Sequence, residues 1–132
     1  MFYTSTRDNS VKVSSAEAIA QGISKDGGLF IPTEIPSISK DFIDSLVPLS
    51  YIERAKKVLS LYLTDFTADE IAMCVEGAYK AGKFSSEKVA PLADYNENAS
   101  ILELWRGPTC AFKDMALQLL PYLLTVSAKK TV

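Results

Sequence analysis

Histidine is missing altogether from the 132 residues. Its absence removes Ser-His-Asp and Cys-His nucleophile systems, His-ligated zinc and imidazole acid-base steps, and leaves chemistry to Lys, Asp, Glu, Tyr, Ser or a cofactor. Cysteine is scarce. Cys74 and Cys110 stand far apart, form no CxxC and supply no structural zinc site by themselves, so they read as reduced, cytosolic thiols. An excess of one charge is lacking too: 14 basic residues meet 16 acidic ones, for a net charge of −2 and a pI near 5.1. That balance offers no electrostatic footprint for a nucleic-acid backbone or an anionic membrane. Long hydrophobic runs are also absent. The greasiest stretch, Met115 to Val126, is interrupted by Gln118 and Pro121 and falls short of the roughly 20 residues a membrane span needs. The opening Met1-Phe2-Tyr3-Thr4-Ser5-Thr6-Arg7 has no basic region leading into an apolar one and is no secretory signal. The expectation is a soluble, cytoplasmic protein with no nucleic-acid or membrane partner. Its length and 48% hydrophobic residues suit one compact domain.

What is present first is helix punctuation. Phe2 to Thr6, with Val11 and Val13 after a turn at Asp8-Asn9-Ser10, read as a short strand or hairpin. Ser14-Ser15-Ala16-Glu17 is a capping box, opening a short helix that should end before Lys25-Asp26-Gly27-Gly28, where the glycines permit positive φ at a C-cap. Leu29 to Pro32 reads as a brief strand. Ser39 can cap a helix carrying Phe42, Ile43, Leu46 and Val47, closed by Pro48. Ser50-Tyr51-Ile52-Glu53 and Thr67-Ala68-Asp69-Glu70 are two further capping boxes; the second helix ends near Gly82. Tyr3, Phe30, Tyr62 and Tyr79 are expected in the core. From Lys88 to Asn98 the chain reads as a polar, Pro-containing connection and a soft domain boundary, followed by a strand-like Ile101 to Trp105. An Ala- and Leu-rich helix through Leu124 should kink or break at Pro121, since an interior proline costs about 3 kcal/mol.

One stretch carries chemistry. A strand leads through the Arg106-Gly107-Pro108-Thr109 turn into a helix start, where Lys113 sits between Phe112 and Asp114 with Met115 next. The positive end of a helix dipole and apolar walls both disfavour an ammonium, and a lysine that attacks a carbonyl needs its neutral form. On pattern alone, Lys113-Asp114 also fits a solvated surface pair, and Glu103 a solvent-facing strand residue or a local partner.

The run Glu103-Leu104-Trp105-Arg106-Gly107-Pro108-Thr109-Cys110-Ala111-Phe112-Lys113-Asp114 resembles the lysine motif of the threonine synthase family. Tyr3-Thr4-Ser5-Thr6-Arg7, and Gln21-Gly22-Ile23 through Asp26-Gly27-Gly28-Leu29-Phe30-Ile31-Pro32, are similar to the amino-terminal domain of that family's longer members. The resemblance implies an α/β chain: a mostly helical amino-terminal domain with a few short strands over residues 1–90, then over 91–132 the beginning of a pyridoxal-phosphate fold type II domain, similar to the tryptophan synthase β chain. It implies that Lys113 binds pyridoxal 5'-phosphate and moves protons in the conversion of O-phosphohomoserine and water to threonine and phosphate. Phe112, Asp114 and Thr109 would at most position it, and Thr4 to Arg7 are polar enough to approach an anionic substrate, although turn hydrogen bonds explain them as well.

Two departures stand out. Arg106, a permanent cation, occupies a place where the family more usually has histidine. The chain also stops at Val132, before any Gly-rich backbone that could cradle the cofactor phosphate. The expectation is therefore an amino-terminal fragment that does not turn over substrate or retain the cofactor alone. It should self-associate through Leu117, Leu119, Leu120, Tyr122, Leu123 and Leu124. A related phospho-lyase yielding a keto acid and a non-catalytic docking module are the rival readings.

Overall fold

The computed structural model describes residues 1–132. Its elements run β1 (Tyr3–Ser5), α1 (Ser15–Gln21), β2 (Phe30–Pro32), α2 (Lys40–Leu46), α3 (Tyr51–Tyr62), α4 (Ala68–Tyr79), β3 (Leu92–Asn96), β4 (Ala99–Leu102), α5 (Asp114–Leu117) and α6 (Leu120–Lys130). All three capping boxes form. Ser14, Ser50 and Thr67 each accept from the N–H three residues on, and Glu17, Glu53 and Glu70 reach back to the cap N–H. Ser39 caps α2 in the simpler way, accepting from Phe42.

The core lies where α1, α3, α4 and α6 meet. Ile71, Cys74, Val75, Ala78 and Tyr79 recur at helical spacing and bury one face of α4. Ala16, Leu63, Phe66, Phe84, Val89, Leu119, Leu123 and Val126 join them in a single cluster that draws on both ends of the chain. Two polar contacts fix the assembly. Asp65, in the turn between α3 and α4, accepts from the Ala16 N–H at 2.9 Å and from the Ser15 hydroxyl, adding a distant cap to α1. Lys130 at the end of α6 pairs with Glu70 at the start of α4 at 2.9 Å. Gly77 gives α6 its close approach: a Cβ there would lie 2.5 Å from the Tyr122 ring.

Both sheets are two-stranded and antiparallel. β1 pairs with β2 in the register Tyr3 to Pro32 and Ser5 to Phe30, while the anticipated partner Val13 contributes one bridge, to Tyr3. The Ser5 hydroxyl and the Gly28 N–H both donate to Asp26 Oδ1, at 2.8 and 2.7 Å, and Arg7 donates to the Asp26 carbonyl at 3.0 Å. The Thr4 hydroxyl donates to the Asp8 carbonyl and Thr6 Oγ1 accepts from Leu29. The polar Thr4 to Arg7 segment is thus engaged in closing its own fold.

Several expectations need correction. The polar connection at 88–98 contains β3, which pairs with β4 around a turn in which the Asn98 N–H donates to Asn96 Oδ1 at 2.9 Å. Both strands lie largely exposed, so no alternation of apolar residues marks them. The strand expected to reach Trp105 stops at Leu102. The cap glycine of α1 is Gly22, at φ 73°, whereas Gly27, at φ 78°, turns the chain into β2. α4 ends at Tyr79 through an extended Lys80, three residues ahead of Gly82. Pro121 divides the last helical segment, and it does so from the first turn of α6, where its missing N–H costs nothing. Of the four aromatic residues expected in the core only Tyr79 is buried; Tyr3, Phe30 and Tyr62 are half-buried. Leu119 and Leu123 belong to the core, which leaves Leu117, Leu120 and Leu124 as the exposed leucines of the final segment.

Candidate active site

The segment from Glu103 to Gln118 is built around one buried carboxylate. Asp114 opens the single-turn α5 and is 1% exposed. Its Oδ2 accepts from the Thr109 N–H at 2.8 Å and the Thr109 hydroxyl at 2.9 Å, and its Oδ1 from the Gln118 amide at 3.4 Å. Burial pushes this carboxyl up, but the donors on Thr109, the Gln118 amide and the Ala111 backbone outweigh it and hold the group below the ordinary carboxylate range. Gly107 makes the room, because any Cβ at that position would run into the Asp114 side chain. Cys110, exposed and at φ 56°, is the left-handed residue of the intervening loop.

Lys113 points the other way. It immediately precedes α5 and is exposed, its Nζ 5.0 Å from the Phe112 ring centroid. It enters none of the ion pairs of the structure. Beside it runs a groove of about 690 Å³ walled by Tyr51, Ala55 and Val58 of α3, by Leu102 and Leu104, and by Phe112, Met115 and Leu117. Arg54 and Lys113 are the two charged residues of its lining. Arg54 is committed elsewhere, donating to the Leu46 and Val47 carbonyls at 2.8 and 2.7 Å. Lys113 is therefore the free cation of an otherwise apolar wall, a setting in which a primary amine can attach a carbonyl compound.

The sequence leaves Glu103 open between solvent and a local partner, and the structure supplies the partner. Arg106 Nε donates to Glu103 Oε2 at 2.6 Å, with a second contact through Nη2. The Arg106 carbonyl also accepts from the Ser85 N–H at 2.8 Å, tying the turn to the segment after α4. Two residues escape the sequence reading. Gln118 lies four positions after Asp114 on the same helical face, a spacing that was there to be used. Tyr79, expected only as packing, donates its hydroxyl to the Met115 carbonyl at 2.6 Å and so fastens α5 to α4; burial, then Tyr51, raise its phenol above the ordinary value.

Comparison with known proteins decides the family. Residues 2–79 match the domain described as threonine synthase N terminus. The chain belongs to the threonine synthase family. Among its relatives, the Schizosaccharomyces pombe threonine synthase is 41% identical over 120 residues, covering 89% of this chain and 23% of that protein. Threonine synthase-like 1 of Pongo abelii is 39% identical over 123 residues, covering 89% of this chain and 16% of its own length. The crystal structure of PLP-bound threonine synthase from Brucella melitensis superposes with a TM-score of 0.90 at 35% identity, covering 98% of this chain and 28% of that one. This chain thus spans less than a third of the length of each. Its fold class is α/β, a helical amino-terminal part with short strands that leads into the start of the fold type II architecture of these enzymes. No helix is long and apolar enough to cross a membrane.

Proposed function

We propose that these residues form the amino-terminal part of an enzyme that uses pyridoxal 5'-phosphate to convert O-phosphohomoserine and water into L-threonine and phosphate, with Lys113 as the residue that holds the cofactor. The observation that carries the reading is the free, exposed amine of Lys113 beside an apolar groove, on a turn locked from beneath by Asp114. Those residues fit a covalently anchored aromatic aldehyde: an uncommitted amine, an apolar wall, and no acid paired with the amine. Bound there, pyridoxal phosphate supplies an electron sink for the carbon that bears the substrate amine. Lys113 Nζ would then be the group placed to take and return protons. Phe112 flanks that amine and limits its directions, while Thr109 and Asp114 hold the turn. Arg106, neutralised by Glu103, serves the turn as well. In this reading residues 1–90 form the amino-terminal domain and 91–132 the start of the catalytic one, in a cytoplasmic enzyme whose partner is a small phosphorylated amino acid. Nucleic acid and membrane are not among its partners.

The test uses the full-length protein. After incubation with pyridoxal phosphate and reduction by borohydride, peptide mass spectrometry should find the pyridoxyl group on Lys113, and Lys113→Ala should lose both the cofactor absorbance and phosphate release. A reduced adduct on another lysine, or phosphate release that survives the substitution, refutes the assignment. The 132 residues by themselves are expected to release no phosphate and to retain no cofactor. A related phospho-lyase that yields a keto acid from a similar substrate is the second reading. Chromatography of the products separates the two.

A further inference from the structure

Lys113 and Asp114 are neighbours in sequence and opposites in environment: the first is exposed, the second 1% exposed. A buried carboxylate next to a functional amine most simply serves as its counter-ion, yet both oxygens of Asp114 are already taken by Thr109 and Gln118. The partners bracket Lys113, one four residues before it and one five residues after it. Accepting from both sides, the carboxylate ties the 107–109 turn to the residue that follows α5, and Cys110 to Lys113 lie exposed on the loop between them. Gly107 confirms how tight the closure is, since the space a Cβ would need is filled by Asp114 itself. The next residue is pinned too, through the bond from Tyr79 to the Met115 carbonyl. The Lys113 carbonyl in turn accepts from Ala116 and Leu117 at 3.0 and 2.8 Å, which fixes its backbone in the turn of α5.

We propose that Asp114 is the positioning residue of Lys113, acting through the Thr109 turn and Gln118 to set where the amine stands and leaving its charge unpaired. The proposal rests on the reading of Lys113 as the cofactor lysine for its purpose, although its geometry stands on this chain alone. Small displacements of a reacting group cost rate steeply, about 100-fold for roughly 1 Å. A clasp that ties down both ends of the four-residue loop carrying the amine therefore bears directly on rate.

Two measurements on the full-length protein test it. The first is the rate at which pyridoxal phosphate becomes trapped on Lys113 by borohydride. The second is trace acetylation of Lys113 relative to the exposed Lys25, which needs no cofactor. Asp114→Ala should slow trapping by at least about tenfold and shift the Lys113 to Lys25 acetylation ratio, with the circular dichroism spectrum retained. Thr109→Val, which keeps the N–H and loses the hydroxyl, should move both readouts in the same direction by less. Thr109→Ser, which keeps both donors, should restore them. A folded Asp114→Ala protein with wild-type trapping and acetylation overturns the proposal. Where that variant does not fold, equal values for Thr109→Val and Thr109→Ser overturn it instead. If Lys113 of the unaltered protein takes no pyridoxal phosphate but its acetylation still responds to Asp114→Ala, the positioning role stands and the assigned function falls.

Discussion

Gly107 and Asp114 form a contact that tolerates no added atom on the glycine side. Gly107→Ala must displace either the carboxylate or the turn, and overpacking of this kind costs typically about 1–3 kcal/mol. Urea unfolding should show that loss as a lower midpoint at unchanged slope, whereas Gly22→Ala meets no neighbouring atom and should pay only for its positive φ. At this scale the sequence singles out Lys113 as a candidate, because a lysine between an aromatic and an acidic residue after a Gly-Pro turn is a local pattern. The burial of Asp114 is not legible in the same way. Charge pattern places Lys and Asp together on the surface; only the convergence of Thr109, Gln118 and Gly107 separates them. Glu103 with Arg106 repeats the lesson, since an i, i+3 spacing permits a pair but does not say that the turn between them will bring it together.

Capping boxes are the most readable elements, because each is a four-residue device whose donors and acceptors are all local. Thr67→Ala should cost about 1 kcal/mol, measured as a lower thermal midpoint, and the capping boxes as a group should weaken in acid. The reason lies in the glutamates. Glu17 and Glu70 are held below their ordinary pKa chiefly by the backbone N–H of Ser14 and Thr67, with Lys130 also acting on Glu70; for Glu53 the Ser50 hydroxyl is the larger influence. A lowered pKa contributes stability that is present above the unfolded value, about 4.3, and disappears as pH falls through the folded one. Unfolding free energy should therefore decline below about pH 4, less steeply in the Glu70→Gln variant. Helix packing is less readable. An isolated glycine in α4 looks like a weak point worth about 1 kcal/mol against alanine, yet Gly77 receives the Tyr122 ring. Gly77→Ala should destabilise the protein alone and stabilise it when Tyr122→Ala is already present, a sign change that a double-mutant cycle detects. The β3-β4 hairpin escapes sequence reading for a different cause: its exposed strands contain no buried side to produce a period.

Across the whole molecule, Leu117, Leu120 and Leu124 remain exposed on the final helical segment, close in sequence to Phe112 and the groove. The 132 residues alone should self-associate through them, and replacing the three leucines with serine should shift sedimentation toward the monomer. A sedimentation profile unchanged by that substitution would place the contact elsewhere. Composition suggests a helical amino-terminal part and a later segment, but it does not reveal the packing of the core, which depends on pairs far apart in the chain. Leu119, Leu123 and Val126 complete a core begun by Ala16, and Lys130 reaches back to Glu70. Synthesis on the ribosome gives that arrangement an order in time. Helices α3 and α4 can pair as soon as they emerge, whereas α1 must wait, its inner side uncovered, until α6 has left the exit tunnel, so the first helix made is among the last to find its place.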